Sequence, residues 1–139
     1  MRILSALLLS VLTLSLTACG RSEQINGRSS STAYRSVKML KERLPPEKRI
    51  EFEISFWTIR DAYKDTNEFL SQVDGKNPDE IIETGREIYQ QRKNQGFREY
   101  QQYSSWEEMI DKYARERREQ DRHTKPDQRD KANDVLYKL

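Results

Sequence analysis

Cys19 is the one thiol in the chain, and it follows an uncharged run that ends in Leu16, Thr17 and Ala18. Once deprotonated, a thiol is the best side-chain nucleophile available for alkylation. The small residues Thr17 and Ala18 let an extended backbone enter a protease cleft. Elsewhere the chemistry is sparse. His123, the single histidine, sits in the polar run Asp121-Arg122-His123-Thr124 with no partner pattern, so a solvated surface residue is expected. The carboxylate pairs Asp79/Glu80 and Glu107/Glu108 fall where helices begin, and negative charge there complements the helix dipole. Cations and aromatics alternate in Arg86, Tyr89, Arg92, Lys93, Arg98, Tyr100 and Tyr103. Such a mixture can stack on bases or sugars. Tyr89 belongs to an apolar helix face, however, and Glu87 and Glu99 dilute the charge. Arg86, Arg92, Arg98, Tyr100 and Tyr103 are the candidate partner surface, for peptidoglycan or a protein. No phosphate-binding glycine loop, zinc-protease helix or nucleophile elbow is present.

Composition narrows the classes further. The chain has 139 residues, 35% of them hydrophobic and 35% charged. Lys and Arg number 25 against 23 Asp and Glu, for a net charge of +2. Balanced charge at this density describes solvated helix faces, not a nucleic-acid footprint, which needs one-sided basic clustering. One Cys excludes an intramolecular disulfide, and one His leaves little for a zinc site. No EF-hand loop is present, so no metal or other cofactor is expected.

Stepping along the chain, Arg2 supplies a positive start and Ile3 to Leu16 form a Leu-rich, uncharged core of an export signal. Leu16-Thr17-Ala18-Cys19 resembles the lipobox of bacterial lipoproteins: an aliphatic residue, two small residues, then Cys. The resemblance implies diacylglyceryl attachment at the Cys19 sulfur, cleavage between Ala18 and Cys19, and commonly N-acylation afterwards. Each buried CH₂ adds about 0.8 kcal/mol, and two or three acyl chains make a stable anchor. The rival readings are a short uncleaved membrane helix over Ile3–Gly20 or an ordinary secretory signal. Gly20, with no Asp after the Cys, looks like outer-membrane sorting in a Gram-negative host.

Residues 19–31 (CGRSEQINGRSSS) are polar and rich in Gly and Ser, which reads as a lipidated flexible tether with a reach of about 20 Å. A helical domain is expected over 32–118. Its first helix runs Thr32–Leu44, capped by Ser31 or Thr32, with Tyr34, Val37, Leu40 and Leu44 near one face, and stops at Pro45-Pro46. The second runs to about Tyr63. Its rows Ile50/Ile54/Trp57 and Phe52/Phe56/Ile59/Tyr63 make a broad apolar arc, the mark of a central helix. Arg49/Glu53 is an expected exposed pair. A short turn of helix follows at Glu68–Val73. Asn77, Pro78 and Glu80 start a third helix running to about Lys93, with Gly85 on its apolar face as a point of close approach, and Asn94-Gln95-Gly96 ends it. Ser105 and Glu108 start the fourth, Trp106–Arg118, with Glu108/Lys112 and Asp111/Arg115 as side-chain pairs. Residues 119–139 read as a charged, partly disordered tail; helix can extend from Arg115 into solvent, and Asp130–Leu139 resembles a short docking helix.

Lys41-Glu42-Arg43-Leu44-Pro45-Pro46-Glu47-Lys48-Arg49-Ile50-Glu51-Phe52 and Asp74-Gly75-Lys76-Asn77-Pro78-Asp79-Glu80-Ile81-Ile82 together resemble the interhelical turns of a family of small helical proteobacterial lipoproteins. That family has no assigned function. The resemblance implies a fold and an address, not an activity.

The expectation is an all-α protein, a small three- to four-helix bundle on a lipid tether. It is a non-enzymatic cell-envelope lipoprotein that meets the membrane through its anchor and a protein partner through its surface, without nucleic acid. The alternative is a periplasmic inhibitor or immunity-type protein that binds a toxin or hydrolase.

Overall fold

A computed structural model describes residues 23–123. Every regular element among them is helical: α1 Ser30–Arg43, α2 Pro46–Ala62, α3 Thr66–Val73, α4 Pro78–Asn94, α5 Arg98–Gln101 and α6 Trp106–His123. The fold is therefore all-α, with six helices among the described residues where a three- to four-helix bundle was expected. The eight-residue α3 is the short helix expected at Glu68–Val73, begun two residues earlier, and the single turn α5 was not anticipated. The chain divides into two compact units, the first ending at Gln101 and the second starting at Gln102.

Helix boundaries in the first unit follow from local chemistry. Ser29 caps α1, two or three residues earlier than expected: its Oγ accepts from Thr32 N–H while Thr32 Oγ1 accepts from Ser29 N–H. Thr32 thus plays the part usually taken by Glu or Gln in a capping box. Pro46 opens α2 without a side-chain cap. At the other end Arg60 Nη1 donates to the carbonyls of Tyr63 (2.8 Å) and Lys64 (3.1 Å), placing a cation where the helix dipole is negative. Asp65 caps α3, accepting from Glu68 N–H. Asn77 and Glu80 form the expected reciprocal capping box of α4. Helix α4 closes on Gly96 (φ +82°), with Gly96 N–H donating to Lys93 O and Phe97 N–H to Arg92 O. That pattern is a Schellman stop, and the positive φ is why glycine stands there.

The core of the first unit is made by Phe52, Phe56 and Ile59 of α2, Phe69 and Val73 of α3, and Ile81, Ile82 and Ile88 of α4. Ala33, Val37 and Leu40 of α1 close it on another side. Of the two apolar rows on α2, Phe52/Phe56/Ile59 is buried, while Ile50 and Ile54 are half-buried and Trp57 is exposed. Helix α2 is central, but its burial is confined to one arc. Arg49 and Glu53 do not pair as expected. Arg49 Nε donates to Leu44 O (2.8 Å), and Glu53 pairs with Lys41 across to α1 (2.9 Å).

Residues 23–31 are not a free tether. Ile25 is only 2% exposed and belongs to the core. Its N–H donates to Lys76 O (2.9 Å), and its carbonyl accepts from Gly75 N–H (2.8 Å). Gly27 N–H donates to Asp74 Oδ1 (2.7 Å), Asn26 N–H to Ser36 Oγ (3.1 Å), and Thr32 Oγ1 to Asn26 O (2.9 Å). This stretch is a strap laid between the α3–α4 loop and the start of α1. Burial of one isoleucine, plus backbone bonds at both its polar groups, outweighs the Gly/Ser composition that suggested freedom.

In the second unit, Ser105 Oγ accepts from Glu108 N–H at the start of α6 (3.1 Å). The Glu108 carboxylate reaches the Ser104 N–H (2.7 Å) and hydroxyl, one residue earlier than a standard box. Lys112 lies 4.0 Å from Glu116, not against Glu108 as expected. Helix α6 continues past Arg118 to His123, so the first residues of the expected tail are helical. Residues 124–139, with the expected docking helix, lie outside the described residues.

Candidate functional site

Cys19 and Ala18, the expected lipid-attachment and cleavage residues, lie outside the described residues. His123 is the last residue of α6 and is exposed. Asp79 pairs with Lys48, and Glu80 serves the cap of α4, so both carboxylates have structural work.

The five residues read as a partner surface are used differently from one another. Arg86 is exposed and its guanidinium bonds one oxygen of Glu51 through Nε (3.1 Å) and Nη2 (2.8 Å). Arg92 has a side chain only 15% exposed; it donates to Asp61 Oδ2 (2.7 Å) and Asp61 O (3.2 Å), and its Cζ lies 5.1 Å from the Phe97 ring centre. Arg98 is exposed on α5. Tyr100 is buried, edge-on to Tyr89 with centroids 5.5 Å apart. Tyr103 is buried too and belongs to the second unit, where Lys112 Nζ sits 5.3 Å from its ring centre. The tyrosines therefore do not offer open stacking platforms. Interleaving in sequence hid this, because helical geometry sends Tyr89 and Tyr100 inward while Arg86 and Arg98 stay outside.

Asp61, Arg92 and Tyr100 do form an electrostatic node. Hydrogen bonds from Lys64 and Arg92 hold the Asp61 carboxyl below the usual carboxylate range. Burial raises the Tyr100 phenol, with the Arg92 cation opposing. The node ties the end of α2 to α4 and to α5.

The surface that best suits recognition lies elsewhere. Tyr34 of α1 (39% exposed) and Trp57 of α2 (48% exposed) face each other with centroids 5.6 Å apart. Both contact Phe56 edge-on, at 6.0 and 5.5 Å, and Phe56 packs on Phe69 at 5.3 Å. Arg60 Cζ lies 4.9 Å from the Phe69 ring centre. Two exposed aromatics are thus fixed from below by two buried ones. Rigid aromatics of this kind lose little entropy on binding and anchor protein interfaces. Sequence reasoning placed Tyr34 and Trp57 in apolar stripes. The signal it could have used is position: Tyr34 lies at the edge of the stripe Ala33/Val37/Leu40.

Three open hollows follow the strap and the helix ends beside it; the largest, about 450 Å³, is lined by Gln24, Ile25, Asn26, Arg28, Asp74 and Gly75. Among the described residues no group of three or more His, Cys, Asp or Glu is placed to hold a metal, and no helix is long and apolar enough to cross a membrane. No protein-family model, curated protein or solved structure matches this chain.

Proposed function

We propose that this chain is a lipid-anchored accessory protein of the bacterial cell envelope. Cys19 carries the anchor, and Tyr34 with Trp57 forms the contact for an envelope protein partner. The observation that carries the reading is the exposed Tyr34–Trp57 pair, held rigid over Phe56 and Phe69. Monomeric surfaces rarely hold two such aromatics together without a use for them. The lipobox Leu16-Thr17-Ala18-Cys19 supplies the address. Glu23 and Gln24, where the described residues begin, are exposed. In a Gram-negative host the protein sits on the outer membrane and faces the periplasm.

Two measurements test this. Growth with an alkyne-bearing fatty acid should label the wild type and not Cys19→Ala, which should also leave the membrane fraction. Site-specific photocrosslinking from position 34 should give a discrete partner adduct that Trp57→Ala abolishes. An unlabelled protein, or adducts indifferent to Trp57, overturns the reading.

A further inference from the structure

The strap and α1 concentrate positive charge. Residues 28–43 hold five cations, Arg28, Arg35, Lys38, Lys41 and Arg43, against the single acid Glu42. Lys41 is paired with Glu53. Arg28, Arg35 and Lys38 are exposed, and Met39 beside them is 46% exposed. Core residues Ala33, Val37 and Leu40 occupy the opposite side of α1, so Arg35, Lys38 and Met39 share its outer face with the acid Glu42, and with Arg28 the patch holds three exposed cations against one acid.

The position of this face relative to Cys19 is restricted by covalent geometry. Ile25 is fixed to Gly75 and Lys76 by backbone bonds, and Thr32 of α1 is bonded to Asn26. Six residue steps lead from Cys19 to Ile25, a span of at most about 22 Å when fully extended. A body fastened that close to its anchor must rest some face on or near the bilayer. Resting on the previous section's lipid attachment, we infer that the outer face of α1, with Arg28, Arg35, Lys38 and Met39, lies against an anionic phospholipid surface. The length of chain between anchor and strap and the charge of α1 both select this occupant. Each Lys or Arg near an anionic surface strengthens the contact roughly fivefold, and salt screens it. A flexible apolar side chain such as Met39 can enter the headgroup boundary between such cations.

The test uses the full-length lipoprotein purified from membranes. Lipid occupies the sulfur of Cys19, so Met39→Cys introduces one reactive thiol for an environment-sensitive fluorophore, and Gln90→Cys on α4 is the control. In vesicles of phosphatidylethanolamine and phosphatidylglycerol, the label at 39 should shift to the blue and be quenched by headgroup nitroxides, while the label at 90 should not. The quenching should be lost in phosphatidylcholine vesicles, in high salt, and in Arg35→Glu/Lys38→Glu, all with the protein still bound. No quenching at 39, equal quenching in both vesicle types, or a signal that depends on protein density and so reports a second copy, each overturns the inference. A thiol count separates the two levels. Two reactive thiols in Met39→Cys mean that Cys19 is unlipidated and the functional reading falls with the inference. One thiol without quenching sinks the inference alone.

Discussion

A Cβ built on Gly85 of α4 would sit 2.8 Å from the Cα of Ser55 on α2 and 2.7 Å from its Cβ. The two helices touch backbone to backbone at this point. Alanine is about 1 kcal/mol better than glycine in a helix interior, yet here it must push against main chain, which cannot rotate away. Overpacking of this kind costs about 1–3 kcal/mol, so Gly85→Ala should lower the urea midpoint and Gly85→Val should lower it further. A midpoint that rises in Gly85→Ala would show that α2 and α4 part freely.

Ile25 should behave as a core residue although it lies in no helix. Truncating a buried isoleucine costs about 2–5 kcal/mol, and Ile25→Ala should therefore lower the thermal midpoint by many degrees. The exposed neighbour Gln24→Ala should change stability by no more than about 0.5 kcal/mol. Equal midpoints for the two variants would return residues 23–31 to the status of a tether.

Gly27 should reject a side chain. Its Cβ would lie 2.6 Å from Asp74 Cβ and 2.9 Å from Leu70 O. Gly27→Ala must lift the strap off the α3–α4 loop or break the bond from Gly27 N–H to Asp74. Faster amide exchange at Ile25 and Gly75, with exchange in α4 unchanged, is the expected signature; uniform exchange rates would contradict it.

Titration should weaken the Asp61 node at both ends of the pH scale. The folded state holds the Asp61 carboxyl below its unfolded value near 3.8, so its contribution is present above that value and is lost as pH falls through the lower folded one. Asp61 is well exposed, which limits the pair to about 0–1 kcal/mol, less in salt. At the alkaline end, burial raises Tyr100 above its ordinary 10.0. Its contribution is complete below that value and fades as pH rises through the folded one. Asp61→Asn should flatten the acid limb and Tyr100→Phe the alkaline limb, each read from urea midpoints across pH. A variant that leaves its limb unchanged removes that residue from the account.

Trp57 separates stability from recognition. Its ring contact with Phe56 is worth about 1 kcal/mol, so Trp57→Ala should melt only slightly below the wild type. As an interface anchor it should cost about 2 kcal/mol or more of partner affinity. A large loss of stability with crosslinking retained would make Trp57 a packing residue.

Local signals carried most of the secondary structure. Proline at 46 and 78, the Asn77–Glu80 box and Gly96 each act within four residues, and α2 and α4 begin and end within about one residue of where those signals put them. The close approach at Gly85 was also readable, as a glycine on an apolar face. What was not readable depended on distant partners. Ile25 is held by residues about fifty positions away, and nothing in GRSEQINGRSSS marks it for burial. Tyr100 is buried against Tyr89 of the preceding helix, a contact set by how the chain turns back after Gly96. Glu53 bonds Lys41 of α1, while Arg49 turns to the Leu44 carbonyl at the end of α1, and neither contact follows from i, i+4 spacing. Tyr34 and Trp57 come from different helices, so only packing reveals them as a pair.

The strap closes against residues that the ribosome makes later. Ile25 emerges first, but Gly75 and Lys76 must follow before its backbone bonds can form. Until then Ile25 lacks both of its backbone bonds, and only the nearer contacts of Asn26 with Thr32 and Ser36 can form. Completion of the α3–α4 loop then draws the strap against the body, so the order of synthesis sets when this edge of the core can close.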